Sequence, residues 1–437
     1  MSQMPTQNIP EQADIVIIGG GIQGAASAYY LQKAGMSVVL LEKDTIASHQ
    51  SGRAWGFVRQ QGRDPVELPL MKACIAIWPE LERELGADLE WRQGGVLYVA
   101  NNDAEMASYE RWLADVKPYD IGSRTLGRAE VEKLMPGLAA PGVGGLFTAN
   151  DGQAEPKKAA PALALKAHAL GAVIVQGCGA VDIETEAGQV SGVMSERGVI
   201  KTRIVICAAG AMTHKFVAKF GRRLPQQTTR STVIRTSPIP PISAVSALIE
   251  GLGFRQRADG SLNLADDVNS DIDLTLSRFK YAGDFWPAYK DNWRNFNFHL
   301  GIRFIDDLAD HLPGSPAADK PLMGRRQTTA LPNPKRVRNA LAAFKHLFPD
   351  AETPKIVDQW AGDIDVTPDA VPVIDQLENP AGFFVATGFS GHGFAMGPIV
   401  GRVLSEWITK GAPSINLDDF RLNRFETGEK RLPYSVL

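Results

Sequence analysis

Three glycines at G-x-G-x-x-G spacing, Gly19, Gly21 and Gly24, followed by Glu42 at the end of an apolar run, are the residues here whose types and spacing most directly suit chemistry. That chemistry is the holding of a dinucleotide. Gly19 permits a tight turn, Gly21 lets the backbone approach a pyrophosphate, and Gly24 lets a helix lie close on its strand. Ile22 and Gln23 then open the helix whose N-terminus faces the phosphates. Glu42, with Lys43 beside it, is placed to accept hydrogen bonds from an adenosine ribose. The glycine spacing alone does not separate FAD from NAD.

The motif needs a strand before it and a helix and second strand after it. Residues 13–19 (ADIVIIG) form a short β-branched run ending in glycine, which reads as a strand buried on both faces of a parallel sheet. Residues 22–34 carry small and apolar side chains at helical spacing and stop at Gly35, and residues 36–41 (MSVVLL) read as a second buried strand. Together they make one βαβ unit of about 30 residues.

The bulk composition fits a soluble enzyme. The 437 residues are 44% hydrophobic and 22% charged, enough for large cores in one or two domains. Forty-six Lys and Arg against 49 Asp and Glu leave a net charge of −3, no field for gathering nucleic acid or anionic membrane. The polar first twelve residues lack a signal-peptide core and no run is long enough to span a membrane, which predicts a cytoplasmic location. Cys74, Cys178 and Cys207 are far apart, so buried packing is expected rather than a disulfide or a metal site.

Beyond the first unit the texture alternates. A helix over 161–170 and strands over 172–175, 189–194 and 204–208 continue the α/β pattern. Residues 94–100, 228–236 and 253–264 read instead as strands of an antiparallel sheet, so a second domain is interleaved with the first. Residues 266–312 are rich in aromatics, including Phe279, Tyr281, Phe285, Trp286, Tyr289 and Trp293, which either pack together or wall a pocket.

Four separated segments carry a resemblance to a known family. They are residues 48–56 (SHQSGRAWG), 151–156 (DGQAEP), 204–211 (IVICAAGA), and the run 360–372 (WAGDIDVTPDAVP) with 388–398 (GFSGHGFAMGP). The chain resembles the D-amino-acid oxidase superfamily, in the branch with sarcosine oxidase, glycine oxidase and opine oxidase subunits. The resemblance implies an α/β fold: a Rossmann-type, GR2-like FAD-binding domain over residues 1–93, 151–220 and 355–437. This is interleaved with an α+β substrate domain on an antiparallel sheet, over 94–150 and 221–354. It also implies that FAD meets Gln50, Ser51, Gly52, Arg53, Ala54, Trp55 and Gly56 along the pyrophosphate, and Val181, Ala209 and Gly210 near the adenine half. Gly362, Gly388, Gly391, His392, Gly393, Phe394 and Ala395 would lie toward the flavin, where a helix N-terminus stabilises negative charge. His392 is read as structural or flavin-contacting rather than as a base.

The family's substrate-carboxylate arginine corresponds to Arg59, with Arg63 as second candidate; the plainer reading of either is a surface ion pair. The resemblance implies hydride transfer from a small amino or imino acid to flavin N5, giving an imine that hydrolyses, with O2 or another acceptor taking the electrons. Ala395 stands where sarcosine oxidase has a second carboxylate-binding lysine, which argues against a plain sarcosine oxidase. The family's oxygen-reactive lysine is missing near Asn263, which tilts toward a dehydrogenase. Arg53 occupies the histidine position used for covalent attachment in relatives, and the cysteine position falls near Trp360 and Ala361, so FAD is expected to be noncovalent. Two alternatives stay open: a 2-hydroxy-acid dehydrogenase, and an FAD subunit active only with a partner subunit.

Overall fold

The computed structural model describes residues 8–267, 270–327, 330–427 and 431–434. The expected βαβ unit is present as strand Ile15–Ile18, helix Ile22–Lys33 and strand Val38–Leu41. Gly35 adopts a left-handed backbone just past the helix, as its stop signal requires. The two strands pair in parallel, Ile15 opposite Val38, at the centre of a six-stranded sheet. Its order runs Val373–Gln376, Phe383–Thr387, Ile204–Cys207, Ile15–Ile18, Val38–Leu41, Val173–Val175. Only Val373–Gln376 runs antiparallel to its neighbour.

Both faces of this sheet are buried, which is why its strands read as unbroken apolar runs. Ile15, Ile17, Val38, Leu40 and Ile206 face helices Ile22–Lys33, Pro156–Ala169 and Gly393–Lys410. Val16, Ile18, Val39, Leu41 and Val205 face a three-stranded antiparallel layer, Ala180–Glu186, Gln189–Ser195 and Gly198–Lys201.

A second, ten-stranded sheet is mostly antiparallel. Nine strands run in the order Phe296–His299, Ser270–Asp273, Gln227–Thr236, Leu262–Asp266, Leu252–Gln256, Ser246–Ile249, Val96–Ala100, Gly144–Thr148, Ser123–Gly127. The tenth, Ile356–Val366, pairs along the length of Gln227–Thr236. Helix Pro334–Leu347 covers one face through Ala340, Phe344 and Leu347, packed on Phe254 and Leu264. Helix Asp103–Val116 covers Val96, Tyr98 and Leu146 on the other through Tyr109 and Trp112.

The residue 48–56 segment joins the two sheets. Arg53 Nη1 donates to the Ala361 carbonyl and Trp360 Nε1 donates to the Arg53 carbonyl, both at 3.0 Å, while Trp55 Nε1 reaches Ser231 Oγ at 3.1 Å. All three cysteines are buried; burial pushes the Cys74 and Cys207 thiols up to about 12, out of reach of thiolate chemistry. The aromatic segment divides: Tyr281 and Phe285 are buried, whereas Phe279, Trp286 and Trp293 are exposed. No described helix is long and apolar enough to cross a membrane.

Candidate active site

A cavity of about 1200 Å³ lies between the two sheets. It exceeds the roughly 300–1,000 Å³ of ordinary ligand pockets, as a dinucleotide plus a substrate requires. Its wall at the central sheet is built from the first βαβ unit, because the chain must turn sharply from strand to helix there. Gly19 holds a left-handed φ of 106° and donates its N–H to the Leu41 carbonyl. A side chain on Gly19 would collide with the Ala208 carbonyl of the neighbouring strand, and one on Gly24 with the carbonyl of Gly19. The turn is therefore closed around backbone.

Glu42 ends the second strand and is only 7% exposed. Its two oxygens accept the N–H groups of Gly20, at 2.6 Å, and Asp44, at 2.8 Å. Burial raises its pKa and these N–H groups oppose the rise. Ser51 Oγ accepts the Ile22 N–H at 2.9 Å, tying the residue 48–56 segment to the helix start. Gln23 Nε2 donates to the Gly393 carbonyl at 2.8 Å and so connects the N-termini of helices Ile22–Lys33 and Gly393–Lys410. Two helix N-termini thus reach one hollow, a donor set suited to an anionic dinucleotide. Glycine cradle, buried acid and cavity size together fit FAD.

Of the residues expected from sequence to meet the cofactor, the cavity is lined by Gly19, Gly21, Ile22, Gln23, Glu42, Lys43, Gln50, Ser51, Arg53, Ala54, Trp55, Gly56, Ala209, Gly210, Gly362, Gly391, His392, Gly393 and Phe394. Gly24, Gly52, Val181, Gly388 and Ala395 lie outside the lining. Gly24 packs helix on strand, and Val181 stands next to Gly179 and Ala180, which do line it. The Ala395 carbonyl is turned inward, accepting from Cys74 Sγ at 2.9 Å and Trp78 Nε1 at 3.0 Å.

Arg59 also lines the cavity, where the chain leaves the short strand Phe57–Val58. Its guanidinium lies 5.4 Å from the centre of the Tyr98 ring, a cation–π contact, and donates to the Gln61 carbonyl. Neither Arg59 nor Arg63 forms an ion pair within 4 Å among the described residues, so the surface-pair reading does not describe either. Arg63 departs furthest from it, being 2% exposed. It lines the cavity beside Arg59, and Trp112, on the covering helix Asp103–Val116, donates to its carbonyl at 2.9 Å.

The surroundings of these arginines are strongly coupled. Burial, reinforced by the Arg59 charge, pushes Arg63 down to about 9. Burial pushes Glu67 up to about 7, with Arg63 offsetting part of the rise. His392 Nδ1 stands 3.2 Å from Glu67 Oε1, which gives the histidine a structural partner. Asp151 holds the backbone that carries Arg59 by accepting the Gln60 and Gln61 N–H groups at 3.0 and 3.1 Å, and burial pushes it up to about 7. Asp267 is exposed to the same hollow; the protein packed around it displaces water and raises it to about 7, and Arg59 partly offsets this.

Tyr98, Leu248, Glu67 and Asp267 went unnoticed in the sequence. No local spacing announces them, because strand pairing between distant segments brings them together. Arg63 and Glu67, four residues apart, offered the nearest thing to a signal. Among the described residues no group of three or more His, Cys, Asp or Glu is arranged to hold a metal.

Comparison with known proteins agrees with this geometry. A family model described as FAD dependent oxidoreductase (DAO) matches residues 14–407. The chain is 26% identical over 433 residues to the mitochondrial sarcosine dehydrogenase of Homo sapiens, covering 97% of this chain and 43% of that protein. It is 26% identical over 424 residues to sarcosine oxidase subunit beta of Rhizobium meliloti (strain 1021), covering 95% and 89%. The structure of an L-amino acid deaminase from Proteus myxofaciens, in complex with anthranilate, superposes with a TM-score of 0.89 at 26% identity, over 97% of this chain and 96% of that one. The chain spans less than half the length of the sarcosine dehydrogenases it matches.

Proposed function

Because the chain belongs to the DAO family of FAD-dependent oxidoreductases, we propose that it oxidises the C–N bond of a small amino or imino acid held by Arg59. FAD, when bound, supplies the hydride acceptor at its N5. The chain's own part is placement. Arg59 offers a forked pair of charge-assisted hydrogen bonds to a carboxylate, and Tyr98 beneath it fixes the plane of the fork. Held there, the substrate's α-carbon keeps one orientation, which converts a chance encounter into a positioned one.

Glu67 and His392 steady the start of helix Gly393–Lys410. Its N-terminal amides sit at the cavity wall and would stabilise negative charge on a reduced flavin bound there. The imine product is released to hydrolysis, and this scheme asks for no strong protein base. The noncovalent attachment expected from sequence accords with Arg53, whose side chain is spent on the Ser48 and Ala361 carbonyls.

The observation that carries the reading is Arg59 itself: a cationic fork without an ion-pair partner among the described residues, open to a cavity that also holds the dinucleotide motif. The test is anaerobic mixing of the FAD-loaded chain with proline and N-methylglycine against pyrrolidine and dimethylamine, which lack the carboxylate. Fading of the yellow flavin by the carboxylated members alone is expected; equal fading by the bare amines contradicts the role of Arg59.

A second reading, that the chain works as one subunit of a larger oxidoreductase, draws support from its outer surface. Phe279, Trp286, Trp293, Leu300, Ile305 and Leu308 are each about half exposed or more within one short stretch. Exposed apolar side chains concentrated in this way favour contact with another macromolecule, and one relative is named a beta subunit. Reduction of the isolated FAD-loaded chain by a carboxylated amine argues against dependence on a partner.

A further inference from the structure

Asp267 has no part in the reading above, although it stands in the same hollow as Arg59. It follows strand Leu262–Asp266, and its N–H donates to the Gly251 carbonyl at 2.8 Å in the turn joining Ser246–Ile249 to Leu252–Gln256. Leu248, which pairs with Tyr98 across neighbouring strands, lines the cavity between them. Tyr98, Leu248 and Asp267 therefore follow one another along one end of the large sheet. The charges sense each other: Arg59 stabilises the Asp267 carboxylate, and the Tyr98 phenol feels both. Unlike Asp266 and Asp271, which meet Arg336, the Asp267 carboxylate has no hydrogen bond or ion pair within 4 Å among the described residues. Exposed to the hollow and without a partner among the described residues, this carboxylate is open to a cationic group brought by a ligand.

Resting on the amine-oxidation reading, we propose that Asp267 is a specificity-determining residue that receives the cationic nitrogen of the substrate while Arg59 receives its carboxylate. A guanidinium and a carboxylate facing one hollow are complementary to a zwitterion. A 2-hydroxy acid satisfies Arg59 and leaves Asp267 unpaired, so the pair discriminates amino acids from hydroxy acids by charge.

The experiment uses the FAD-loaded chain with its flavin already reduced by dithionite, so that nothing turns over, and measures binding by calorimetry. The ligands come in matched shapes: glycine betaine with 3,3-dimethylbutanoate, and proline with cyclopentanecarboxylate. The zwitterionic member of a pair should bind about 10- to 100-fold tighter, the range expected of a hydrogen bond or contact with a charged group. D267N should erase that preference with the members lacking the cationic nitrogen unaffected, whereas R59Q should weaken both members of a pair alike. Simple carboxylates that bind as tightly as their zwitterionic twins overturn the role of Asp267 and leave the amine-oxidation reading standing. Failure of all four to bind sinks that reading itself. The preference within a pair is read on the unaltered chain, so the test survives a variant that does not fold.

Discussion

At the Glu42 end of the cavity the wall is mostly backbone: a glycine turn, the N-terminus of helix Ile22–Lys33, and an acid whose oxygens are occupied by neighbouring N–H groups. At the Arg59 end the wall is side chains, delivered by the segment after Phe57–Val58, by the Tyr98 strand, and by the turn after Leu262–Asp266. The first end is suited to what every such dinucleotide shares, a pyrophosphate and a ribose, and can be built from one continuous stretch. The second must distinguish one small molecule from another, and its parts converge from more than 200 residues of chain. Binding of the common part is thus local in sequence, and selection of the particular part is a property of the assembled sheets.

The comparison can be broken most forcefully at Gly24. Gly24→Ala places a methyl against the Gly19 carbonyl; overpacking of this kind costs about 1–3 kcal/mol. The expected outcome is a protein purified with little flavin and a lowered Tm, read as the flavin-to-protein ratio and by thermal melting. A fully yellow variant of unchanged Tm would refute the account of the turn.

Arg59→Gln should act at the other end alone. Loss of about 1.5–3 kcal/mol from a charge-assisted contact lowers kcat/KM for a carboxylated amine some tens-fold, with flavin content as in the parent chain. A comparable loss of FAD would show that the two ends are not separable. Tyr98→Leu removes only the ring beneath Arg59 and should cost about 0.5–2 kcal/mol in the same assay, a smaller fall than R59Q and none at all in an R59Q background.

The subtlest effect is one of pH. Glu67 is raised to about 7, chiefly by burial, against about 4.3 in an unfolded chain. The folded state therefore keeps a proton that the unfolded state gives up. This contribution to stability is complete below about pH 4.3 and is lost as the pH rises through about 7. Asp151 and Asp267 are shifted in the same direction and share that window. Glu67→Gln should flatten part of the decline in Tm between those limits, leaving the remainder to the two aspartates; an unaltered Tm profile would contradict the burial argument.

How much could be read beforehand follows the same division. The strands Ile15–Ile18 and Val38–Leu41 were legible because a strand covered on both faces must be apolar throughout, and the helix between them because Gly35 stops it. The antiparallel runs near residues 94–100, 228–236 and 253–264 were legible as strands, but not that Ile356–Val366 lies along Gln227–Thr236, since register between distant strands has no local signal. Arg59 was reached through family resemblance; the surface ion pair offered for Arg63 fails because nothing near it foretells Trp112 and its helix closing over. Asp267 could not be seen at all: an acid after a strand is ordinary until the turn at Gly251 sets it beside Tyr98 and Leu248.

The central claim, that this cavity oxidises carboxylated amines, is tested most directly by mixing the FAD-loaded chain without oxygen with sarcosine, D- and L-amino acids, cyclic imino acids and opines on one side and their 2-hydroxy-acid counterparts on the other, while following the flavin absorbance. The account predicts that at least one amine class reduces the flavin and that no hydroxy acid does. Reduction by hydroxy acids in place of amines would contradict it.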